Sequence, residues 1–462
     1  MSQFRWTAAE VLRALGHAPH AADEQERYAR VATDSRSVGA GDLFVALKGE
    51  RFDAHDFLAQ IAAAGAAAAV VQRVPDGAPR GLRYFVVRDP RAALGLLGRH
   101  RRRALAVPAV AVVGSNGKTT TKDLLRAALG AQLRVHATEG NFNNQVGLPL
   151  TLLAAPDDAE VLVLELGTNE PGEIEILARI CEPTHAVVTT VAEEHLEKLG
   201  SLEGVLAEET AILPHLPEEG LAFVGEEPAI LPERARELLG IGRVLVAGLT
   251  PAAELHPERG EVETLPDATT RWRWRGETLH LPLRGLYNVR NALLALGVAR
   301  ELGVETGDAM RAIERMPPPR LRGEWRQIGR LRVIADCYNA NPGSLAAAVE
   351  LLASLPAAGR KIAVVGTMRE LGEQEAALHR RAAAEIAERV GDGIDLVVAT
   401  GLFVPAFAPL AQRLGERLLL SDDPLQAYER LAPALRGDET ILLKASRAVA
   451  LERWIERLEE LF

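Results

Sequence analysis

Lys118 and Thr119 stand directly behind a glycine bend, in the run Gly114-Ser-Asn-Gly-Lys-Thr-Thr120. An apolar stretch, residues 110–113, leads into the bend, and an amphipathic helical pattern leads out of it. This order of elements makes a phosphate cradle. Glycines let backbone N–H groups turn inward, and a helix N-terminus adds positive potential. A lysine can then reach terminal phosphates, and a threonine hydroxyl can ligand Mg²⁺. The usual spacing would put the first glycine at Val112, whereas here only Ser115 and Asn116 separate Gly114 from Gly117. The strand–bend–helix context predicts binding of a nucleoside triphosphate.

Such a site needs oxygen ligands for Mg²⁺. Glu165 closes the apolar strand pattern 161–165. A carboxylate there is costly to bury alone, so it reads either as a metal ligand or as a strand end facing water. His195 follows the strand pattern 186–191 by a short loop, as a loop hydrogen-bonder or as a ligand. Both strands are expected beside the phosphate-loop strand, at its C-terminal end. The segment Gly140-Asn-Phe-Asn-Asn-Gln-Val-Gly-Leu-Pro149 gathers amides that serve either as turns or as uncharged ligands for an oxygen-rich substrate.

The elements that must hold these residues alternate strand and helix over most of the chain. Strands are expected at 42–47, 67–72, 82–87, 161–165, 186–191, 221–224, 331–335, 361–365, 395–400 and 440–444. Helices are expected at 8–15, 91–103 and 288–302. Alternation of this kind favours parallel sheets covered by helices. Residues 269–281 change period: Thr269-Thr-Arg-Trp-Arg-Trp-Arg-Gly-Glu-Thr-Leu-His-Leu alternates in twos around Arg275-Gly276, which predicts a hairpin on the sheet's edge. Met316-Pro-Pro-Pro319 reads as a linker. With 462 residues, the chain divides into three expected domains, 1–104, 105–315 and 316–462.

Composition narrows the partners. Net charge is −10, with no basic block, which argues against nucleic acid. Arg101-Arg-Arg103 reads as a solvated helix end. Cys181 and Cys337 are the only cysteines; they form neither a metal-ligand spacing nor a disulfide framework, which fits a reducing cytoplasm. No apolar run approaches the ~20 residues of a membrane span, and the first residues lack the apolar core of a secretory leader.

These residues together resemble the Mur ligases, ATP-dependent amide-bond-forming enzymes of bacterial cell-wall synthesis. The resemblance runs through Gly114-Ser-Asn-Gly-Lys-Thr-Thr120, Glu165, the His195-Leu-Glu197 loop and Gly285-Leu-Tyr-Asn-Val-Arg-Asn291. The segment 140–149, Tyr338-Asn-Ala-Asn-Pro342, Gly366-Thr-Met-Arg-Glu-Leu-Gly372 and Lys444-Ala-Ser-Arg447 are similar to the members that join D-alanyl-D-alanine to UDP-N-acetylmuramoyl-tripeptide. The resemblance implies an α/β fold of three domains. The first holds the UDP substrate. The second is a central P-loop ATPase-like parallel sheet with a small antiparallel β part. The third is a C-terminal Rossmann-like domain that binds the dipeptide and closes on ATP.

It also implies roles. Gly114, Ser115, Asn116, Gly117, Lys118, Thr119 and Thr120 hold ATP, with Thr119 on one Mg²⁺ and Glu165 and His195 on a second. Asn291 faces the adenine and Asp336 the ribose. An arginine meets the γ-phosphate, and Arg320 and Arg322 both fit. Ser35, Arg36 and Asp53 hold the UDP end, while Asn141, Asn144, Tyr338, Asn339 and Asn341 are further substrate-binding residues. The protein is expected to be monomeric and cytoplasmic, without nucleic-acid or membrane partners.

Several positions depart from the family pattern. Tyr287 replaces a usual His, Thr367 an Asp, and Ala54 and Ala445 glycines. Glu209 stands where the family has a lysine that becomes a carbamate. It is expected either to reach the metal shell through water or a helix shift, or to face solvent beside Glu203 and Glu208. The alternatives to the ligase reading are a nucleotide-dependent regulator without ligase chemistry and a folylpolyglutamate synthase-like ligase.

Overall fold

In the computed structural model, which describes residues 4–49, 51–356 and 359–462, apolar strands and amphipathic helices alternate to build three main sheets. Residues 1–3, part of the segment read as lacking a leader, lie outside the described residues. A four-stranded parallel sheet comes first, in the order Val31–Ala32, Leu43–Val45, Ala68–Val71, Arg83–Val86. The central sheet has six parallel strands, ordered Val244–Ala247, Ala222–Gly225, His185–Val188, Ala109–Val113, Val161–Glu165, Val135–Ala137. The last sheet also has six strands: Glu324–Ile328, Leu331–Asp336, Thr440–Lys444, Lys361–Val365, Leu396–Thr400, Leu418–Ser421. Only the first of these is antiparallel to its neighbour.

Ala109–Val113 is buried throughout, as a strand covered on both faces must be. It lies between Val161–Glu165 and His185–Val188. The loops that leave these three strands at their C-terminal ends therefore meet, which is where open α/β sheets bind ligands. Helix Lys118–Gly130 buries Leu124, Leu125, Ala128 and Leu129 against the sheet and the helix Leu286–Glu301. Each such leucine stabilises the loop's foundation by about 1.5–3 kcal/mol.

Three expectations need correction. The 269–281 hairpin forms, as Thr270–Trp274 and Glu277–Leu281, but not on the edge of the central sheet. With Val262–Thr264 it makes a separate antiparallel sheet. Its buried face, Trp272, Trp274, Leu279 and Leu281, packs into the helix cluster containing Met310 and Ile313. The strand expected to reach Val191 ends at Val188, and the chain beyond it serves the phosphate loop instead: Thr189 Oγ1 donates to the Asn116 carbonyl, and the Thr190 carbonyl accepts from Ser115 N–H.

Arg101-Arg-Arg103 is a solvated helix end only at Arg103, which is exposed. Arg101 and Arg102 are buried. Arg101 donates to the Ala155 carbonyl and pairs with Asp157 at 2.6 Å, and Arg102 donates to the Cys181 carbonyl at 2.9 Å. Arg99 and Arg103 both pair with Glu182. The helix Pro90–Leu105 thus belongs as much to the central unit as to the first sheet, and it ends one residue past the expected boundary at 104. At Gly98 the two units pack closely. A methyl there would stand 2.9 Å from Pro149 Cα. Gly98→Leu should therefore lower the Tm by roughly 5 °C through overpacking. A calorimetric scan checks this, and an unchanged Tm would show that the contact is loose.

Candidate active site

The phosphate loop depends on two glycines with left-handed backbone, Gly114 at φ +121° and Gly117 at φ +85°. A methyl on Gly114 would fall 2.3 Å from Thr189 Oγ1, and one on Gly117 2.9 Å from Asn291 Oδ1. Only glycine meets both demands. The loop is braced from beneath. Ser115 N–H donates to the Thr190 carbonyl at 2.7 Å, Thr189 Oγ1 donates to the Asn116 carbonyl at 2.6 Å, and Ala192 N–H donates to Ser115 Oγ at 2.9 Å. The helix that follows has no side-chain N-cap. Its first-turn N–H groups, including those of Thr119 and Thr120, suit an anion.

Lys118 Nζ donates to the Gly114 carbonyl and lies 3.6 Å from Glu194 Oε1. Burial works against its charge, but Glu194, Glu209 and Glu165 outweigh burial and raise its pKa, with Arg322 opposing them. Arg322 therefore stands within electrostatic reach of the loop, stacked over Tyr338 with its guanidinium 4.0 Å from the ring centre.

Glu165 is buried, so the solvent-facing reading of it fails. Its Oε1 accepts from Asn143 Nδ2 at 3.0 Å, and its backbone N–H donates to Thr138 Oγ1. Glu165 Oε2 and Glu194 Oε1 are buried with no hydrogen-bond partner among the described residues. Two orphaned carboxylate oxygens beside a lysine are a donor set suited to a hard cation. Among the described residues, no three His, Cys, Asp or Glu side chains gather closely enough to hold a metal unaided. Mg²⁺ does not require such a cage, since it keeps waters and shares one or two carboxylates with substrate phosphates.

His195 has left-handed backbone, φ +50°, and caps the short helix Leu196–Leu199. Its Nδ1 lies 2.5 Å from Glu370 Oε2. Burial lowers its pKa, but the bond to Glu370 and the charge of Glu194 prevail, and the pKa is raised. Glu209 is 1 % exposed, which overturns the solvent-facing alternative. Its Oε2 accepts from Gly114 N–H at 2.7 Å. Burial pushes its pKa up to about 7, despite the nearby Lys118. Glu208 is also buried, accepting from Thr168 Oγ1 and from the N–H groups of Gly172 and Ile174.

Two units meet at the loop. Asn116 and Asn341 exchange side-chain hydrogen bonds, Asn116 Nδ2 donating to Asn341 Oδ1 at 3.2 Å and Asn341 Nδ2 to Asn116 Oδ1 at 2.9 Å. Asn341 also caps the helix Pro342–Ser354. Asn291 packs against Gly117 and donates to Asn288 Oδ1. Asp336 pairs with the buried Lys444 at 2.9 Å, and Lys444 also donates to the Asn339 carbonyl. Tyr287 is half-buried within reach of the Asp336 charge; burial first, and then that charge, raises its pKa.

The remaining expected residues make their contacts locally. Arg36 is exposed and paired with Asp34, and Gln60 Nε2 donates to the Ser35 carbonyl. Asp53 accepts from His55 N–H and lies 2.6 Å from His55 Nδ1. Asn141 is exposed, and Asn144 Oδ1 accepts from Val146 and Gly147 N–H. Sequence reasoning passed over Asn143, Thr189, Glu194 and Glu370. Asn143 lay inside a segment already singled out. For Glu194, nothing in the Ala192-Glu-Glu-His run marks which glutamate turns inward, because a loop has no period.

A phosphate loop on a parallel sheet, joined by a second α/β unit that touches the loop, defines a nucleotide-dependent ligase architecture. The chain belongs to the Mur ligase family. Residues 27–102 match the Mur ligase family catalytic domain, 112–299 the Mur ligase middle domain, and 321–447 the Mur ligase glutamate ligase domain. It is 36 % identical over 437 residues, 93 % of each chain, to the UDP-N-acetylmuramoyl-tripeptide–D-alanyl-D-alanine ligase of Bacillus subtilis strain 168. A crystal structure of MurF from Acinetobacter baumannii superposes with a TM-score of 0.88 at 31 % identity, covering 100 % of both chains. MurF of Thermotoga maritima, solved in complex with ADP, gives 0.80 at 28 % identity over 94 % of this chain and 97 % of that one. Among the described residues no helix is long and apolar enough to cross a membrane.

Proposed function

We infer that this chain is an ATP-dependent ligase of peptidoglycan precursor synthesis, joining D-alanyl-D-alanine to UDP-N-acetylmuramoyl-tripeptide with release of ADP and phosphate. The observation that carries this is the phosphate loop contacted by a second α/β unit through Asn341, in a chain similar along 93 % of its length to a ligase of that name. A regulator without chemistry would have no need of the buried acidic groups around Lys118. A folylpolyglutamate synthase-like ligase does not account for the Mur ligase match at residues 27–102.

A carboxylate is a poor acceptor for an amine, because oxide is the group it must expel. Phosphorylation by ATP turns it into an acyl phosphate. The dipeptide amine adds to that carbonyl, and phosphate leaves. Both reactants carry negative charge, so the site's main work is to neutralise and align them. Lys118 and the N–H groups of residues 114–120 would hold the phosphates, and Arg322 would meet the γ-phosphate. One Mg²⁺ would be held by Thr119 and a second by Glu165 and His195, and they would supply charge neutralisation and orientation for the phosphoryl group. Glu209 would act through the loop, by holding Gly114. Asn291 would face the adenine and Asp336 the ribose. Ser35, Arg36 and Asp53 would take the UDP end, and Asn141, Asn144, Tyr338, Asn339 and Asn341 the peptide partners. The domains 1–104, 105–315 and 316–462 would divide this labour, with the proline run at 316–319 as hinge. The enzyme would work as a cytoplasmic monomer.

A coupled phosphate-release assay tests the reading. Release should require ATP, Mg²⁺, UDP-N-acetylmuramoyl-tripeptide and D-alanyl-D-alanine together. Release that is independent of either peptide partner would refute it.

A further inference from the structure

His195 and Glu370 face each other from different sheets, and both have backbone that non-glycine residues seldom adopt: φ +50° at His195 and φ +65° at Glu370. Such conformations persist only where the surroundings impose them, and they gather at functional sites. Here the surroundings are specific. The segment carrying Glu370 is pinned on its own side, where Met368 N–H donates to His379 Nε2 and Arg369 N–H to Ser446 Oγ, both at 3.0 Å. On the other side, Glu197 N–H donates to the Glu370 carbonyl at 3.3 Å. Gly372, at φ +58°, lies so close that a methyl there would stand 2.8 Å from Glu197 Cα. The Glu370 carboxylate is thereby brought to 2.5 Å from His195 Nδ1, while Nε2 has no hydrogen bond among the described residues.

A histidine that binds metal through one ring nitrogen usually donates from the other to a carboxylate, which fixes the tautomer and the ring's direction. We propose that Glu370 is a positioning residue for the Mg²⁺ site: lent by the C-terminal unit, it holds His195 Nδ1 so that Nε2 is offered to the cation. Docking of that unit and loading of the cation then strengthen each other by the same factor. The inference rests on the reading of His195 as a Mg²⁺ ligand.

The rival role is a plain clasp between units. Arg381 supplies the control, since it pairs with Glu193 across the same boundary without touching His195. Mn²⁺ binding to the full chain with ADP, followed by electron paramagnetic resonance, separates the cases. Glu370→Gln should weaken Mn²⁺ by roughly 10- to 100-fold, His195→Ala at least as much, and Arg381→Gln should leave it unchanged. In turnover, Glu370→Gln should raise the apparent KM for Mg²⁺ more than it lowers kcat. Equal weakening by Glu370→Gln and Arg381→Gln would reduce Glu370 to a clasp and overturn the proposal. So would Mn²⁺ binding unaffected by Glu370→Gln when His195→Ala weakens it. If His195→Ala itself has no effect, the metal reading of His195 falls first.

Discussion

Lys118→Met should abolish measurable ADP formation, with kcat down by about 10³-fold or more. Its Nζ is the cation at the centre of the loop, and Glu165, Glu194 and Glu209 all act on its charge. Methionine keeps the length and the packing, so the loss would be one of charge. With the ammonium gone, three carboxylates would face the incoming triphosphate with Arg322 as the nearby counter-charge. Affinity for ATP should therefore fall together with kcat. Nucleotide affinity by calorimetry and turnover by phosphate release check the two parts separately. Full turnover by the methionine variant would remove the loop from the chemistry altogether.

Glu209→Ala should lower Mg²⁺-dependent turnover by roughly 10- to 100-fold, the cost of stranding a buried donor, about 1–3 kcal/mol. The stranded donor is Gly114 N–H, at the point where the loop leaves its strand. Added bicarbonate should not rescue activity, because position 209 carries no lysine to be carbamylated. Glu209→Gln, which retains an acceptor for Gly114, should recover a good part of the loss; failure to do so would mean that the negative charge itself is needed.

The same residue makes a stability prediction. Its pKa rises from an ordinary 4.5 to about 7, chiefly by burial. The folded chain therefore holds a proton in this window that the unfolded chain has given up. Stability contributed here is full below pH 4.5 and is lost as pH rises toward 7. Thermal melts without nucleotide should show that decline, and Glu209→Gln should flatten it. An identical slope in both proteins would assign the pH dependence to other groups.

How far the sequence could be read depended on distance along the chain. Val161–Glu165, Lys361–Val365 and Thr440–Lys444 have the bounds expected of them, because strands covered on both faces need unbroken apolar runs. The Arg275-Gly276 turn was legible from the change to period two. Val135–Ala137 and Glu324–Ile328 were not, being short or half-exposed strands without such a run. The loop, Glu165 and His195 could be singled out because each sits within a few residues of a strand end. Their partners could not. Asn116 meets Asn341 across 225 positions, and Arg101 reaches Asp157 across 56. A run of three arginines looks like a surface feature until the carbonyls it serves are brought to it.

Both thiols, Cys181 and Cys337, lie fully in the interior, and burial raises each pKa to about 12. Neither will form a thiolate at neutral pH to any useful extent. The native chain is thus a silent background for maleimide chemistry. A pair of cysteines introduced on exposed faces of the central and C-terminal units would be the only positions to take a dye. Energy transfer between two such dyes could follow the approach of Glu370 to His195 during turnover, without first stripping the protein of its own sulfur.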